Sequence, residues 1–324
     1  MNGRHSGDRR PPVIILVGPT AVGKSRAALA LAELVGGEIV AADSMQVYRG
    51  LDIGTAKPGA DEQRRVPHHL LDLVDPDQRF TAADYGRLAR AAVAGIRRRG
   101  HVPIVVGGTG LYVRVFLRGL FEGPGEDVSL REELRHDAAT LGVPALHRRL
   151  HALDPQAAAA IHPNDLFRIV RALEVAIITG RPPSDLKAEA RRDHEPVAEP
   201  VLWFGLERDR RELYQRIEKR VGEMMARGFL DEVRTLLDRG YSPALKPLRA
   251  IGYRHMIEHL KGRTSLDDAI GCLKRDTRRY AKRQLTWFRH EVGVEWHHVE
   301  GPTFTERVLG GLIERIEGAW TKAV

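Results

Sequence analysis

The chain has 324 residues, 43% of them hydrophobic and 29% charged, with a formal net charge of +8, which gives enough apolar material for a sizeable core and excludes a wholly disordered chain. No stretch reaches the roughly 18 consecutive apolar residues of a membrane helix, and one cysteine, Cys272, excludes an internal disulfide or a Cys-rich zinc site and fits a reducing, cytoplasmic setting. The cation excess favours an acidic partner: nucleic acid, anionic membrane or a phosphorylated substrate.

In chain order, residues 1–12 are polar, basic and without an apolar core, and read as a disordered leader. Val13–Val17 is a short continuous apolar run between Pro12 and Gly18, the pattern of a strand buried on both faces. A Gly-rich turn and a helical stretch from Ala27 to Leu34 follow, then a second short strand over Glu38–Ala42 that ends in Asp43. Ala82–Arg99 has helical spacing, and Val102–Val106 reads as a buried strand running into Gly107-Gly108-Thr109-Gly110. Ser129–Arg192 is rich in Ala, Leu and Arg with helical periodicity, a helical insertion. Pro200–Leu206 reads as a strand returning to the sheet, and Arg208–Arg239, Arg249–Leu260 and Ser265–His290 as helices. Val294–Val299 and Thr303–Glu317 complete the order as a strand and a helix. Alternating strands and helices argue for an α/β fold, a P-loop NTPase-like parallel sheet flanked by helices, whose ligands gather at the carboxyl ends of the strands. Gly18, Asp43 and Thr109 all lie just past such ends.

Gly18, Pro19, Thr20, Ala21, Val22, Gly23, Lys24 and Ser25 fit the pattern G-x-x-x-x-G-K-[ST] between a predicted strand and a predicted helix. Glycines let backbone amides turn toward a phosphate, and the helix N-terminus adds a favourable dipole. The lysine adds a point charge, and the Ser25 hydroxyl is a candidate ligand for Mg²⁺. The motif specifies a di- or triphosphate ligand but not its chemistry, so phosphoryl transfer and a reaction that expels diphosphate both stay open.

GPTAVGKS from Gly18, ADSMQVYRGLDIGTAKP from Ala42 and VGGTGLY from Val106, in that order, choose between them. With His68-His69, His162-Pro163-Asn164-Asp165, Arg249–Arg254 and Tyr280–Arg289, this set resembles the tRNA dimethylallyltransferase family over about residues 13–289. The resemblance implies transfer of a dimethylallyl group from dimethylallyl diphosphate to N6 of adenosine 37 in tRNA, with release of diphosphate. It implies Asp43 as general base, Thr109 at the bridging oxygen of the diphosphate, and Lys24 and Arg220 on the diphosphate, assisted by Mg²⁺. It further implies that Asp43, Ser44, Met45, Gln46 and Thr109 line the base pocket. Arg131, Phe167, Arg168, Ile169, Val170 and Arg171, with Arg249, Ala250, Ile251, Gly252, Tyr253 and Arg254, match segments that contact the anticodon stem-loop. Residues 13–121 and 199–324 are then a catalytic core with basic C-terminal helices, and residues 122–198 an insertion that grips the tRNA. A monomer of the bacterial type is implied, since one cysteine cannot build the zinc finger of some eukaryotic relatives.

Each of these residues also has a plainer reading. Asp43 fits a helix cap or a residue behind the ligands of Mg²⁺, Thr109 fits a helix cap, and Arg220, Lys57 and the runs Arg97-Arg98-Arg99 and Lys274–Gln284 fit solvated helix faces. Trp287 and Phe288 suit either RNA stacking or a core. The pairs His68-His69 and His297-His298 read as surface or packing residues, as do His255 and His259, and Cys272 as a small buried hydrophobe. Three other functions share features with the chain: an ATP-dependent small-molecule kinase, a non-catalytic P-loop RNA-binding protein, and a prenyltransferase acting on free adenylate.

Overall fold

The computed structural model describes residues 11–120, 123–193, 200–301, 309–316 and 318. The chain divides into two compact units, Met1–Phe116 with Val197–Val324, and Leu117–Pro196.

In the first unit β1 (Val13–Val17) leads to α1 (Lys24–Val35), β2 (Gly37–Ala42), a short α2 (Ala60–Arg65) and a two-residue β3 (His68–His69). Next come α3 (Ala82–Arg98), β4 (Val102–Gly107) and α4 (Gly110–Arg118). The second unit holds α5 (Val128–Leu141), α6 (Val143–Leu153), α7 (Pro155–Ala160), α8 (Leu166–Thr179) and α9 (Pro183–Asp193). The chain returns to the first unit with β5 (Val201–Glu207), α10 (Arg210–Ala226), α11 (Phe229–Asp238), a 3-10 turn at Pro247–Arg249, α12 (Tyr253–Leu260), α13 (Leu266–Arg289) and β6 (Glu295–His298). Residues 309–316 are helical, the described part of the helix expected over Thr303–Glu317; residues 302–308 and 317 lie outside the description, as do residues 1–10 of the expected leader.

The six strands form one parallel sheet in the order β3-β2-β4-β1-β5-β6. All five residues of β1 are fully buried at the middle of this sheet, each side chain contributing roughly 1.5–3 kcal/mol of burial. Val17 and Ala42 are both in register with Gly107. The loops after β1, β4 and β2 therefore leave three neighbouring strands at one level, and strands lie about 4.8 Å apart. This register brings the P-loop, Thr109 and Asp43 to one place.

Local chemistry sets the helix boundaries. The Thr81 hydroxyl accepts from the Asp84 amide while the Asp84 carboxylate accepts from the Thr81 amide, a reciprocal cap that opens α3. The side chains of Asp127, Asp154, Asp165, Asp209 and Ser265 each accept from a first-turn amide and so cap α5, α7, α8, α10 and α13. The segment expected as one helix over Arg208–Arg239 is two, because Gly228 takes a φ of 90° between α10 and α11.

Three readings of charged residues are corrected. Lys57 is not on a solvated face: its ammonium donates to Tyr48 O, Asp52 Oδ1 and Asp72 Oδ1 (2.9, 2.6 and 2.5 Å), and it is buried. Arg99 pairs with Glu38, and Arg97 donates to Pro11 O, so much of that run holds β2 and the start of β1 in place. His69 meets the same Glu38 carboxylate at 2.6 Å, which makes it part of a buried ion cluster. Cys272 is half-buried, Phe288 is core, and Trp287 lies beneath the Arg114 guanidinium, 4.3 Å from its ring centroid.

The second unit has its own core, which includes Leu134, Leu146, Leu150, Ile169 and Leu173. Glu174 is fully buried there and accepts from Arg131, Arg171 and the Asp127 amide. Burial alone would raise the pKa of this carboxyl, but the two arginines hold it below the ordinary value.

Candidate active site

The strand-end loops of the first unit open into a cavity of about 640 Å³. Its wall carries Thr20, Ala21 and Gly23–Arg26 from the P-loop, Asp43–Gln46 after β2, and Gly107 and Gly108 after β4. Arg216, Lys219 and Arg220 enter from α10, Arg249–Ile251, Tyr253 and Arg254 from the start of α12, and Thr277, Tyr280, Arg283 and Gln284 from α13.

The P-loop backbone adopts conformations that favour glycine. Gly18 has a φ of 146°, and a Cβ there would lie 2.5 Å from Leu206 O, too close for any side chain. Ala21 takes a φ of 64°, and its carbonyl accepts from Arg216 Nε at 2.9 Å, which holds the turn. Lys24 opens α1 and donates to Gly18 O and Pro19 O, both at 2.8 Å. Burial, and then the neighbouring Arg220 charge, lower its pKa to about 7, against a raising effect from Asp43. Arg220 is likewise held below its ordinary value by burial, with Asp43 acting in the opposite direction. Among the residues of the wall, eight are Lys or Arg (24, 26, 216, 219, 220, 249, 254, 283) and two are acidic, Asp43 and Glu223. Cations in such excess around a cavity favour a polyanionic ligand.

Asp43 closes an Asx turn at the end of β2, its Oδ1 accepting from the Met45 and Gln46 amides at 2.8 and 3.4 Å. It is not a helix cap. Gln46 Nε2 donates to Thr55 O and Ala56 O (3.2 and 3.3 Å), and Arg220 Nη2 reaches the same Thr55 carbonyl at 3.4 Å. The Thr109 amide donates to Ala42 O, and its hydroxyl accepts from the Ser44 amide at 3.1 Å. The hydroxyl thus ties the β4 end to the β2 end instead of capping α4. The Tyr280 hydroxyl meets Thr109 and Gln284.

The P-loop, Asp43–Gln46, Thr109 and Arg220 are therefore brought together. Ser25 is exposed at the first turn of α1, on the cavity wall. Of the Arg249–Arg254 segment, Arg249, Ala250, Ile251, Tyr253 and Arg254 reach the cavity, while Gly252 precedes α12 as its N-cap. Arg131 and Phe167–Arg171 belong to the second unit. There Ile169 and Val170 are buried, so their side chains support the segment and offer no contact surface; Phe167, 77% exposed, does. Arg131 and Arg171 are engaged with Glu174, and Arg168 with Asp165.

Sequence reading missed Arg216, Gln284 and Glu232 as residues that build the site. Arg216 holds Ala21. Gln284, although inside the Tyr280–Arg289 motif, was one polar residue in a cation-rich helix. Glu232 accepts from the amides of Asp52, Ile53 and Gly54 (3.1, 2.6 and 3.1 Å) and from the Tyr253 hydroxyl at 2.7 Å. Glu232 and Tyr253 thereby pin the loop that carries Thr55 and Ala56, a link across some 180 residues that no local pattern announces.

A parallel sheet with a G-x-x-x-x-G-K-S loop and a cationic cavity at its strand ends is an α/β architecture suited to a phosphorylated ligand. The IPP transferase family model matches residues 46–291. The chain is 52% identical over 302 residues to a tRNA dimethylallyltransferase of Geobacter metallireducens, covering 93% of this chain and 96% of that one. It is 53% identical over 305 residues to one of Syntrophobacter fumaroxidans (94% and 86% covered). The crystal structure of a tRNA isopentenylpyrophosphate transferase from Bacillus halodurans superposes with a TM-score of 0.69 at 40% identity, covering 97% and 99% of the two chains. A eukaryotic dimethylallyltransferase solved acting on tRNA superposes at 0.77 with 28% identity, covering 94% of this chain and 78% of that one. The chain belongs to the IPP transferase family.

Proposed function

We propose that this protein transfers the dimethylallyl group of dimethylallyl diphosphate to N6 of adenosine 37 in the anticodon loop of tRNA, forming N6-isopentenyladenosine and releasing diphosphate. One observation carries the reading within the family: a single cavity joins the P-loop Lys24, Arg220 of α10 and Asp43, whose carboxylate acts on both cations.

The exocyclic amine of adenine is a poor nucleophile, and the allylic carbon becomes reactive as its bond to diphosphate lengthens. Lys24, Arg220 and the P-loop amides stabilise the negative charge that gathers on the leaving diphosphate. Asp43 takes the proton from N6 as nitrogen attacks carbon. Thr109, fixed to Ser44, addresses the bridging oxygen. Asp43–Gln46 receive the base, which must leave its stack to enter. Among the described residues no cluster of three His, Cys, Asp or Glu could hold a metal. Ser25, exposed on the cavity wall, would hold a Mg²⁺ ion, which would supply positive charge toward the phosphates. Residues 122–198 grip the anticodon stem-loop through Phe167 and Arg168, with Arg131 and Arg171 ordered by Glu174. The protein works as a monomer in the cytoplasm.

The direct test is genetic. A bacterial strain lacking isopentenyladenosine in its tRNA is given this coding sequence, and tRNA nucleosides are measured by mass spectrometry. Return of N6-isopentenyladenosine is expected with the intact chain and not with Asp43→Ala. No modified nucleoside despite folded protein would remove the reading.

A further inference from the structure

We propose that Gln284 is a positioning residue for this transfer, holding the P-loop at a fixed distance from the turn that carries Thr109; the inference rests on the reading above. The Gln284 side chain on α13 is buried, and each half of its amide has one backbone partner. Its Oε1 accepts from the Thr20 amide at 2.8 Å, and its Nε2 donates to Gly108 O at 2.9 Å. Thr20 follows β1 and Gly108 follows β4, neighbouring strands in the sheet. A Cβ at Gly108 would collide with Gln284 Nε2, so the turn is shaped to admit this side chain. The tie continues to the nucleophile side, since Thr109, next to Gly108, holds Ala42 O through its amide and the Ser44 amide through its hydroxyl. Thr20, Gln284, Gly108, Thr109 and Ser44 thus connect the loop that receives the diphosphate with the loop that presents Asp43.

Only a side chain offering an acceptor and a donor on one planar group closes this bridge. An aliphatic residue of equal size would leave the Thr20 N–H and the buried Gly108 carbonyl without this partner. The backbones would then separate, and misplacement by about 1 Å costs on the order of a hundredfold in rate. A neutral glutamic acid supplies the same pair of bonds as glutamine, with its O–H donating to Gly108 O and its carbonyl accepting from Thr20. A carboxylate instead sets lone pairs against the Gly108 carbonyl.

The experiment compares Gln284→Leu and Gln284→Glu with the unaltered protein. Steady-state transfer is measured from pH 6 to 9, and binding of inorganic diphosphate with Mg²⁺ by calorimetry across the same range. Lys24, Asp43, Arg216, Arg220, Tyr280 and Arg283 share the cavity wall and shape the unaltered protein's profile, so the quantity read is the ratio of variant to unaltered protein at each pH. Gln284→Leu is expected to lower kcat about ten- to hundredfold with KM for tRNA within about threefold. In Gln284→Glu the ratio is expected to rise about tenfold from pH 8.5 to pH 6 as the acid takes up its proton, and diphosphate binding to follow the same trend. A ratio flat with pH in Gln284→Glu, or Gln284→Leu within twofold in kcat, would overturn the proposal. If Gln284→Leu does not fold, Gln284→Glu decides alone. If the unaltered protein transfers no prenyl group, the functional reading fails, and the pH trend of diphosphate binding still decides whether Gln284 sets this spacing.

Discussion

Among the described residues no carboxylate is bonded to the Lys24 ammonium; two of its three donors go to carbonyls of its own loop. Its pKa is lowered from 10.5 to about 7, so between these values the folded chain binds fewer protons than the unfolded one. Stability without ligand is therefore expected to rise with pH across that window. Diphosphate favours the charged lysine, so its binding takes up a proton above pH 7, and affinity is expected to weaken toward pH 9. Calorimetry in buffers of different ionisation heat reads that uptake, and Lys24→Met should abolish it. Asp43→Asn is expected to lower kcat by about 10²–10⁴-fold while leaving tRNA affinity within about twofold; equal losses in both would make Asp43 a binding residue. Glu38 gives a slope of the same sign in the acid range, but as a stabilising group. Burial would raise its pKa, but hydrogen bonds from Arg99, His69 and His101 hold it at about 2, so its stabilisation is present above pH 4.5 and lost as pH falls toward 2. Glu38→Gln should unfold more easily in urea at pH 7 and show a flatter stability profile between pH 5 and 3. At this scale the loop Gly18–Ser25 was legible directly, because its backbone conformations demand particular residues. Asp43, Thr109 and Arg220 needed the ordered motifs as well, since each alone fits a cap or a solvated face. Lys57 and Gln284 were not legible: their roles depend on burial and on partners far away in sequence.

At the scale of elements, apolar patterning identified β1, β2, β4, β5 and most of the long helices, because buried parallel strands and amphipathic helices write their contacts into composition. Short or uniformly exposed elements left no such trace. No residue of α2 is buried, and β3 is two residues long. The start of α4, Gly110-Leu111-Tyr112-Val113, carries β-favouring residues that obscure a helix. The break at Gly228 is a boundary the continuous charge pattern concealed. Gly228 sits in the left-handed region, so Gly228→Ala is expected to cost about 1–2 kcal/mol in urea unfolding. The same change should disturb the Glu232 anchor on α11 and raise KM more than a surface substitution on that helix, such as Asp238→Ala.

For the whole molecule, the register of three adjacent strand ends turns separate motifs into one site, which is why their order along the chain was informative. The partner was less legible than the site. A charge of +8 is compatible with many acidic ligands, and several arginines that sequence reading assigned to RNA are engaged with Glu174 or Asp276 within the fold. The central claim is that the P-loop here receives a leaving diphosphate and not a nucleotide that donates phosphate. Purified protein, Mg²⁺, labelled dimethylallyl diphosphate and tRNA lacking the modification, with ATP omitted, test it most directly. Label recovered as N6-isopentenyladenosine in the tRNA is the expected result. No transfer to tRNA, with label instead on free adenylate or with phosphoryl transfer when ATP is supplied, would contradict it.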